Sequence, residues 1–160
     1  MVKIPKTITL IYIMILGITL GASLYAGIVV APVTFHTESF LGSEILSRYQ
    51  EGVIMTANFV KLGYLVDFTL LAVIFYEGFR FKSFERDTVA LLSAVIVIAS
   101  GLLFTHYYIP QILEFQAKGE VATQSELFEK THFASELDFK LFAIALMLLM
   151  GRNLYRSLRS

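Results

Sequence analysis

One uncharged apolar stretch, from Ile8 to Val33, constrains the fold of this chain more than any other feature. A helix needs about 20 residues to cross the ~30 Å hydrocarbon core of a bilayer, and this stretch is long enough to do so. Lys3 and Lys6 precede it and resemble the basic start of a signal peptide. The stretch is nevertheless much longer than the roughly 7–15 apolar residues of a signal core. We therefore interpret it as a retained membrane-spanning helix.

Three further apolar segments follow the first one. The chain is 56% hydrophobic and 16% charged, whereas about a quarter of the residues of a typical soluble domain are charged. The sequence therefore predicts an all-α integral membrane protein, a four-helix bundle in a single domain over residues 1–160. The predicted helices cover approximately residues 8–33, 52–76, 88–108 and 131–151.

Two compositional facts exclude several classes of function. The chain has no cysteine, which excludes disulfides, thiolate metal sites, haem attachment through CxxCH and iron–sulfur clusters. Its formal net charge is zero, so nothing in the overall charge indicates a nucleic-acid partner.

The distribution of basic residues predicts the orientation in the membrane. Eight Lys and Arg residues fall in the two termini and the middle connection, and three fall in the other two connections. Because cytoplasmic loops are enriched in Lys and Arg, both termini should face the cytoplasm. The first set is Lys3, Lys6, Arg80, Lys82, Arg86, Arg152, Arg156 and Arg159, and the second is Arg48, Lys118 and Lys130.

All three histidines fall at the outer ends of the predicted helices. His36 follows the first helix, His106 ends the third, and His132 begins the fourth, with Glu136 one turn further along. Imidazole and carboxylate groups bind transition metals such as copper and zinc. The pattern predicts a metal site formed by His36, His106, His132 and Glu136, although interfacial histidines with no ligand are an alternative interpretation.

Ionisable residues also interrupt the predicted spans. Such charges cost at least about 2.5–3.5 kcal/mol each at the centre of a spanning helix, so they usually pair and face the bundle interior. We expect an internal ion network between the second and fourth helices, which either fixes helix register or forms a cation path or a polar pocket. Its members are Lys61, Asp67, Asp138 and Lys140.

The first helix carries small residues at four-residue spacing. Small residues at this spacing let spanning helices approach closely, so we expect them to form a packing face. If the chain is a subunit of a larger complex, this face is the expected docking surface. The residues are Gly17, Gly21, Ser23, Gly27 and Ala31.

Three segments resemble a known family. Gly21-Ala-Ser-Leu-Tyr-Ala-Gly27-Ile-Val-Val-Ala31-Pro32-Val-Thr-Phe35 resembles the first helix of small four-helix bacterial membrane proteins known as domain of unknown function 4149. Tyr107-Tyr108-Ile109-Pro110 resembles the end of that family's third helix. Phe128-Glu-Lys-Thr-His132-Phe-Ala-Ser135-Glu-Leu-Asp138 resembles the start of its fourth, where Asp138 stands in place of the usual Asn. The family is similar to a eukaryotic transmembrane protein linked with resistance to platinum drugs.

The resemblance implies a four-helix fold in the bacterial inner membrane and singles out His132 and Ser135. From the residues we expect a protein that binds a cation, such as copper or zinc, at its periplasmic face and aids its transport or delivery. The alternative is a non-catalytic accessory or assembly subunit of a larger membrane complex. A membrane oxidoreductase that uses a quinone is a third interpretation, but the sequence favours a role without catalysis. The expected partners are the lipid bilayer and either further copies or a larger complex, and no other cofactor is expected.

Overall fold

The computed structural model describes residues 4–43, 45–83 and 87–159. The regular structure within these ranges is entirely helical, which confirms the all-α prediction. Short helices at Glu38–Leu41 and Glu120–Thr123 lie in two of the connections. The four long segments are α1 (Lys6–Thr34), α2 (Arg48–Lys82), α3 (Thr88–Ala117) and α4 (Glu126–Ser157).

Polar turns extend two of the helices beyond the apolar runs that predicted them. The predicted second helix, 52–76, is α2 at Arg48–Lys82, and the predicted fourth, 131–151, is α4 at Glu126–Ser157. Ser47 begins α2 with a capping box, because its hydroxyl accepts from the Gln50 amide at 3.3 Å while the Gln50 side chain accepts from the Ser47 amide at 2.9 Å. Ser125 caps α4 through its hydroxyl alone, which accepts from the Phe128 amide at 3.2 Å. The additional turns are polar, so hydrophobicity alone does not reveal them.

Prolines near the ends of α1 and α3 are accommodated by π-helical turns. The segment Ala26–Val30 precedes Pro32, and Phe104–Tyr108 precedes Pro110. A proline has no N–H group and its ring clashes with the carbonyl of residue i−4, and a π turn supplies the local change in helix winding. The predicted end of the third helix near residue 108 is therefore wrong, because α3 continues to Ala117.

The four long helices form a square antiparallel bundle. α1 packs against α2 and α4, and α3 packs against the same two helices, so α2 and α4 occupy opposite corners. The first residue of α1 and the last of α4 lie at one end, which we call the terminal end, and the opposite end is the far end. A hydrogen bond of 2.7 Å joins Thr19 to Thr69 inside the bundle. The largest fully buried side chains include Leu16, Val66, Phe142, Leu146 and Leu149.

The small residues of α1 divide between the inside and the outside of the bundle. Ser23 is buried. A Cβ atom added at Gly17 would come within 3.5 Å of Met150 Sδ, and one at Gly27 within 3.8 Å of Phe139, so both glycines face α4. Gly21 is exposed with no side chain near it, and Ala31 is half-buried.

Three of the helices, α1, α2 and α3, are long and apolar enough to cross a membrane. α4 does not reach the same apolar length, because Glu136, Asp138 and Lys140 interrupt its far half. The outer surface of the bundle exposes large apolar side chains, as in a protein surrounded by lipid. Examples are Ile18, Phe75, Leu92 and Ile144.

The described basic residues at the terminal end include Lys6, Lys82 and Arg152. Lys3 and Arg86, which also contribute to the predicted charge bias, lie outside the described residues.

Candidate functional site

The structure does not bring the four predicted metal ligands together. His36 Nδ1 lies 2.9 Å from the Pro32 carbonyl oxygen, so the His36 ring forms a hydrogen bond with the end of α1. The His132 ring stacks on Phe128 with ring centroids 5.8 Å apart, and Glu136 pairs with Lys140 on its own helix. Within residues 4–43, 45–83 and 87–159, no group of three or more His, Asp or Glu side chains is placed to hold a metal ion. The sequence predicted a metal site at the far end, and the structure corrects this prediction because the four side chains do not form one.

The predicted internal ion network also differs from the structure. α2 and α4 occupy opposite corners of the bundle, and the lysines predicted to pair across them both lie at its outer surface. Lys61 is exposed on the outside of α2. Lys140 is 62% exposed and pairs with Glu136 at 2.7 Å, one turn away on α4. Asp138 is half-buried, and its Oδ2 atom has no hydrogen-bond partner in the described part of the chain.

Asp67, the remaining member of that network, forms a different polar cluster with α3. The Thr105 hydroxyl donates to Asp67 Oδ1 at 2.8 Å, and His106 Nε2 lies 3.2 Å from the same oxygen. Asp67 is about 3 Å along the helix axis from the middle of α2 at a ~1.5 Å rise per residue. Among the described residues, Asp67 and His106 are thus an ionisable pair close to the centre of two membrane-length helices. We call these three residues the mid-span cluster.

The mid-span cluster lies at the outer surface of the bundle. The side chain of Asp67 is 36% exposed and that of His106 is 63% exposed. The groove between α2 and α3 holds a cavity of about 220 Å³ at this point, lined by Val60, Gly63, Tyr64 and Ile109 together with the cluster. Asp67 and His106 therefore face the groove and the outside of the bundle, whereas Thr105 is buried between the two helices.

Local sequence explains why the groove forms here. Gly101 lets α3 approach Leu70 of α2, since a Cβ atom at Gly101 would lie 2.6 Å from Leu70 Cδ2. Thr105 and His106 both belong to the π-helical segment before Pro110. π turns of this kind recur at functional sites. Thr105 is buried against Asp67 and the adjacent His106 is exposed, so the segment presents two polar groups at neighbouring positions.

Comparison with known proteins places the chain in a family. The family model described as domain of unknown function (DUF4149) matches residues 14–121. The chain belongs to the DUF4149 family. The match includes the whole mid-span cluster and ends before α4, so the resemblance noted around His132 and Ser135 lies outside it. No curated protein and no solved structure matches this DUF4149 chain.

A second polar cluster, which the sequence analysis missed, is buried at the terminal end of the DUF4149 chain. Glu77 Oε1 accepts from the Tyr12 hydroxyl at 3.1 Å and from Asn153 Nδ2 at 2.8 Å. Arg80 Nη1 donates to Asn153 Oδ1 at 2.5 Å and lies 3.5 Å from Glu77 Oε2. All four side chains are buried. We call this set the terminal network.

The terminal network was missed because Glu77 and Arg80 end the apolar run and resemble a connection. Their i, i+3 spacing puts both on one face of a helix, and that spacing is the sequence signal that could have located them. The ring of Tyr76 stacks on Tyr12 with centroids 3.9 Å apart. The network therefore joins α1, α2 and α4, and its contacts are those of a structural element.

Asp87 links the start of α3 to the end of α4. Its Oδ1 atom accepts from the Ala90 amide at 3.2 Å, and its Oδ2 atom accepts from Arg152 Nε at 2.7 Å and Arg156 Nη1 at 3.2 Å. Burial raises the pKa of Asp87, but the Arg152 hydrogen bond, the Ala90 amide and the charges of Arg152 and Arg80 outweigh it. The pKa of Asp87 therefore lies below its ordinary value.

We expect Asp87→Asn to lower the stability of the protein in a pH-dependent way. A carboxyl group with a lowered pKa stabilises the fold at neutral pH, and this contribution is lost as pH falls through the folded-state value. Asparagine retains the helix cap, so the loss at pH 7 should be about 1 kcal/mol. Thermal unfolding in detergent should show a gap between wild type and variant at pH 7 that closes in strong acid. A gap that widens in acid would contradict this assignment.

Proposed function

We propose that this chain binds a transition-metal cation, such as zinc or copper, at Asp67 and His106 and passes it on within the membrane. The observation that carries the proposal is the 3.2 Å separation of His106 Nε2 and Asp67 Oδ1 near the middle of the bundle. The ligand belongs to the class expected from the sequence, but its site lies at the mid-span cluster and not at the far end.

The geometry of the pair is compatible with a shared ion. Nitrogen and oxygen ligands lie about 2.0–2.2 Å from zinc, so two ligands of a tetrahedral ion are separated by about 3.3 Å. The observed distance of 3.2 Å is close to this value. His106 Nδ1 and Asp67 Oδ2 have no other hydrogen-bond partner among the described residues. An ion bound by both side chains would replace their direct contact, and Asp67 would have to shift relative to the Thr105 hydroxyl that donates to its Oδ1 atom.

The position of the pair also supports a cation. A carboxylate at the centre of a spanning helix costs about 2.5–3.5 kcal/mol on insertion scales, and intramembrane ionisable residues usually mark a function. A bound cation offsets the charge of Asp67. At the far end, exposed acidic side chains create a surface that attracts cations. They are Glu38, Glu120 and Glu129, together with Glu114 and Glu126, which pair with Lys118 and Lys130.

We also propose how the four helices and the two ends of the bundle are arranged in the membrane. α4 crosses the bilayer beside α1 and α3, both termini face the cytoplasm, and the far end faces the periplasm of a bacterium. The excess of basic residues at the terminal end supports this orientation. The sequence resemblance also implies that the family is similar to a eukaryotic protein linked with platinum-drug resistance. That similarity fits a protein that handles metals.

Metal titration of the purified protein tests the proposal. Wild-type protein in detergent should bind Zn²⁺ or Cu²⁺ in equilibrium dialysis. Asp67→Asn and His106→Gln should each weaken binding at least tenfold, which corresponds to about 1.4 kcal/mol for the loss of one ligand.

Two matched controls separate this site from the far end. His36→Gln and His132→Gln remove histidines that have local partners of their own, so both variants should bind the metal as the wild type does. Loss of binding in these variants, with unchanged binding in His106→Gln, would replace our site by the one predicted from the sequence. Absence of binding in the wild type would reject the function.

A non-catalytic subunit of a larger membrane complex is the second candidate. It is supported by the outward orientation of Lys61, Glu136 and Lys140, whose charges a protein partner would cover better than lipid. Purification in mild detergent distinguishes the two roles, because a stable complex with a different membrane protein favours the subunit role.

A further inference from the structure

A second cavity, larger than the one beside the mid-span cluster, lies at the far end of the bundle. Its volume is about 450 Å³, within the range of about 300–1,000 Å³ that is usual for small-ligand sites. It lies where α1 has ended and α2 begins, and we call it the far-end recess. Its lining residues are Phe35, His36, Glu38, Leu46, Arg48 and Glu51.

Arg48 is held at the recess by three contacts that leave part of its guanidinium group free. Its Nη1 atom donates to the Phe35 carbonyl oxygen at 3.0 Å and lies 3.7 Å from Glu51 Oε2. The guanidinium carbon lies 4.5 Å from the centre of the Phe35 ring, a cation–π distance. The Nε and Nη2 atoms have no hydrogen-bond partner among the described residues, and the side chain is 73% exposed. Arg48 can therefore bind a phosphate group through two parallel hydrogen bonds and keep its own contacts.

The two carboxylates of the recess differ in their contacts. Glu51 is buried, and its Oε1 atom accepts from the Thr37 hydroxyl at 2.5 Å and from the Thr37 amide at 3.4 Å. Glu38 is exposed, and its carboxylate has no hydrogen bond or ion pair within the part of the chain that the structure describes. Glu51 therefore fixes the connection to α2, whereas Glu38 and Arg48 are opposite charges that line one recess without pairing with each other.

The connection that forms the recess also exposes apolar side chains, although it does not span the membrane. Phe40, Leu41 and Ile45 are each more than half exposed. Segments that lie at the membrane surface insert such side chains into the boundary between headgroups and acyl chains. α1, which is long enough to cross the bilayer, ends at Thr34, directly before the recess. The far-end recess therefore opens at the depth of the lipid headgroups.

We infer that the far-end recess binds the phosphoethanolamine headgroup of a membrane phospholipid. The phosphate binds Arg48 and the ammonium group binds Glu38, so each of the two charges gains a partner of opposite sign. An anionic headgroup without an ammonium group would leave Glu38 unpaired, and a choline headgroup has no N–H group to donate to it. This site is separate from the mid-span cluster and does not depend on metal binding.

Native mass spectrometry of the full chain, with equal amounts of phosphatidylethanolamine, phosphatidylglycerol and phosphatidylcholine added, tests the inference. The wild type should retain phosphatidylethanolamine in preference to the other two lipids. Arg48→Gln and Glu38→Gln should each lower this retention about two- to fivefold, the size expected for one partly exposed charge pair. Lys130→Gln is the matched control, because Lys130 is 72% exposed at the same end and does not line the recess, so this variant should retain the lipid as the wild type does.

The outcomes separate the headgroup from other ligands. Equal retention of phosphatidylglycerol, lost in Arg48→Gln but not in Glu38→Gln, would reduce the recess to a phosphate site and overturn the headgroup assignment. Unchanged retention in both variants would overturn the site itself, and Glu38→Gln removes no contact of the described fold, so misfolding cannot account for its result. Free phosphoethanolamine should displace the lipid only in large excess, since it has no acyl chains to bury. Displacement at equal concentration would assign the recess to a soluble ligand and overturn the membrane source.

Discussion

Arg80→Met is expected to destabilise the protein by about 3–5 kcal/mol, because it leaves the buried Glu77 carboxylate without its cationic partner. The substitution also removes the 2.5 Å hydrogen bond from Arg80 to Asn153 and the guanidinium group that lies 5.7 Å from the centre of the Tyr76 ring. Thermal or denaturant unfolding in detergent measures the effect. The double variant Arg80→Met with Glu77→Gln should recover much of the loss, since no buried charge then remains unpaired.

Lys82→Met provides the control for this prediction. Lys82 lies on the same helix as Arg80 but is exposed, so its replacement should change the stability by less than about 0.5 kcal/mol. An Arg80→Met variant as stable as Lys82→Met would show that the terminal network does not stabilise the bundle.

Gly101→Ala is expected to destabilise the protein by about 1–3 kcal/mol through overpacking between α2 and α3. The new methyl group would lie 2.6 Å from Leu70 Cδ2 and 3.3 Å from Leu70 Cγ, and Leu70 is itself buried in the core. The two helices must then separate or Leu70 must adopt another rotamer. Because the mid-span cluster bridges the same two helices, metal affinity should fall together with stability.

Gly151→Ala is the matched control, because beyond the local backbone of its own helix nothing lies within 4 Å of the position that its methyl group would occupy. Alanine is favoured over glycine inside a helix by about 0.5–1 kcal/mol, so this variant should be as stable as the wild type or more so. Adding Leu70→Ala to Gly101→Ala should relieve the clash, although it removes buried apolar surface of its own. If Gly101→Ala matched Gly151→Ala in stability, the close approach of α2 and α3 would not be required.

Periodicity and apolar length were sufficient to predict an all-helical chain, and three of the helices are long and apolar enough to cross a membrane. They were not sufficient to predict the helix ends. Glu77 and Arg80 are polar and end the apolar run, yet α2 continues through them because their side chains are satisfied inside the bundle. Pro110 is a strong sign of a helix end, but the π-helical turn before it lets α3 continue.

The pairing of site residues was not predictable for a different reason. Asp67 and His106 were both singled out from the sequence, but they were assigned to different clusters. Which charged residues meet depends on which helices are neighbours and on the rotation of each helix, and one sequence specifies neither. The expected partnership of Lys61 with α4 required adjacent helices, whereas α2 and α4 are diagonal. His106 was assigned to the far end because α3 was expected to stop near it, and the extra turns of α3 place it near the centre of that helix.

X-ray absorption at the zinc edge of the zinc-loaded protein tests metal binding at the mid-span cluster most directly. A zinc ion held by Asp67 and His106 should have nitrogen and oxygen ligands at about 2.0–2.1 Å, with an imidazole signal that disappears in His106→Gln and remains in His36→Gln and His132→Gln. An imidazole signal that survives in His106→Gln, or a wild-type protein that retains no zinc, would contradict metal binding at this cluster.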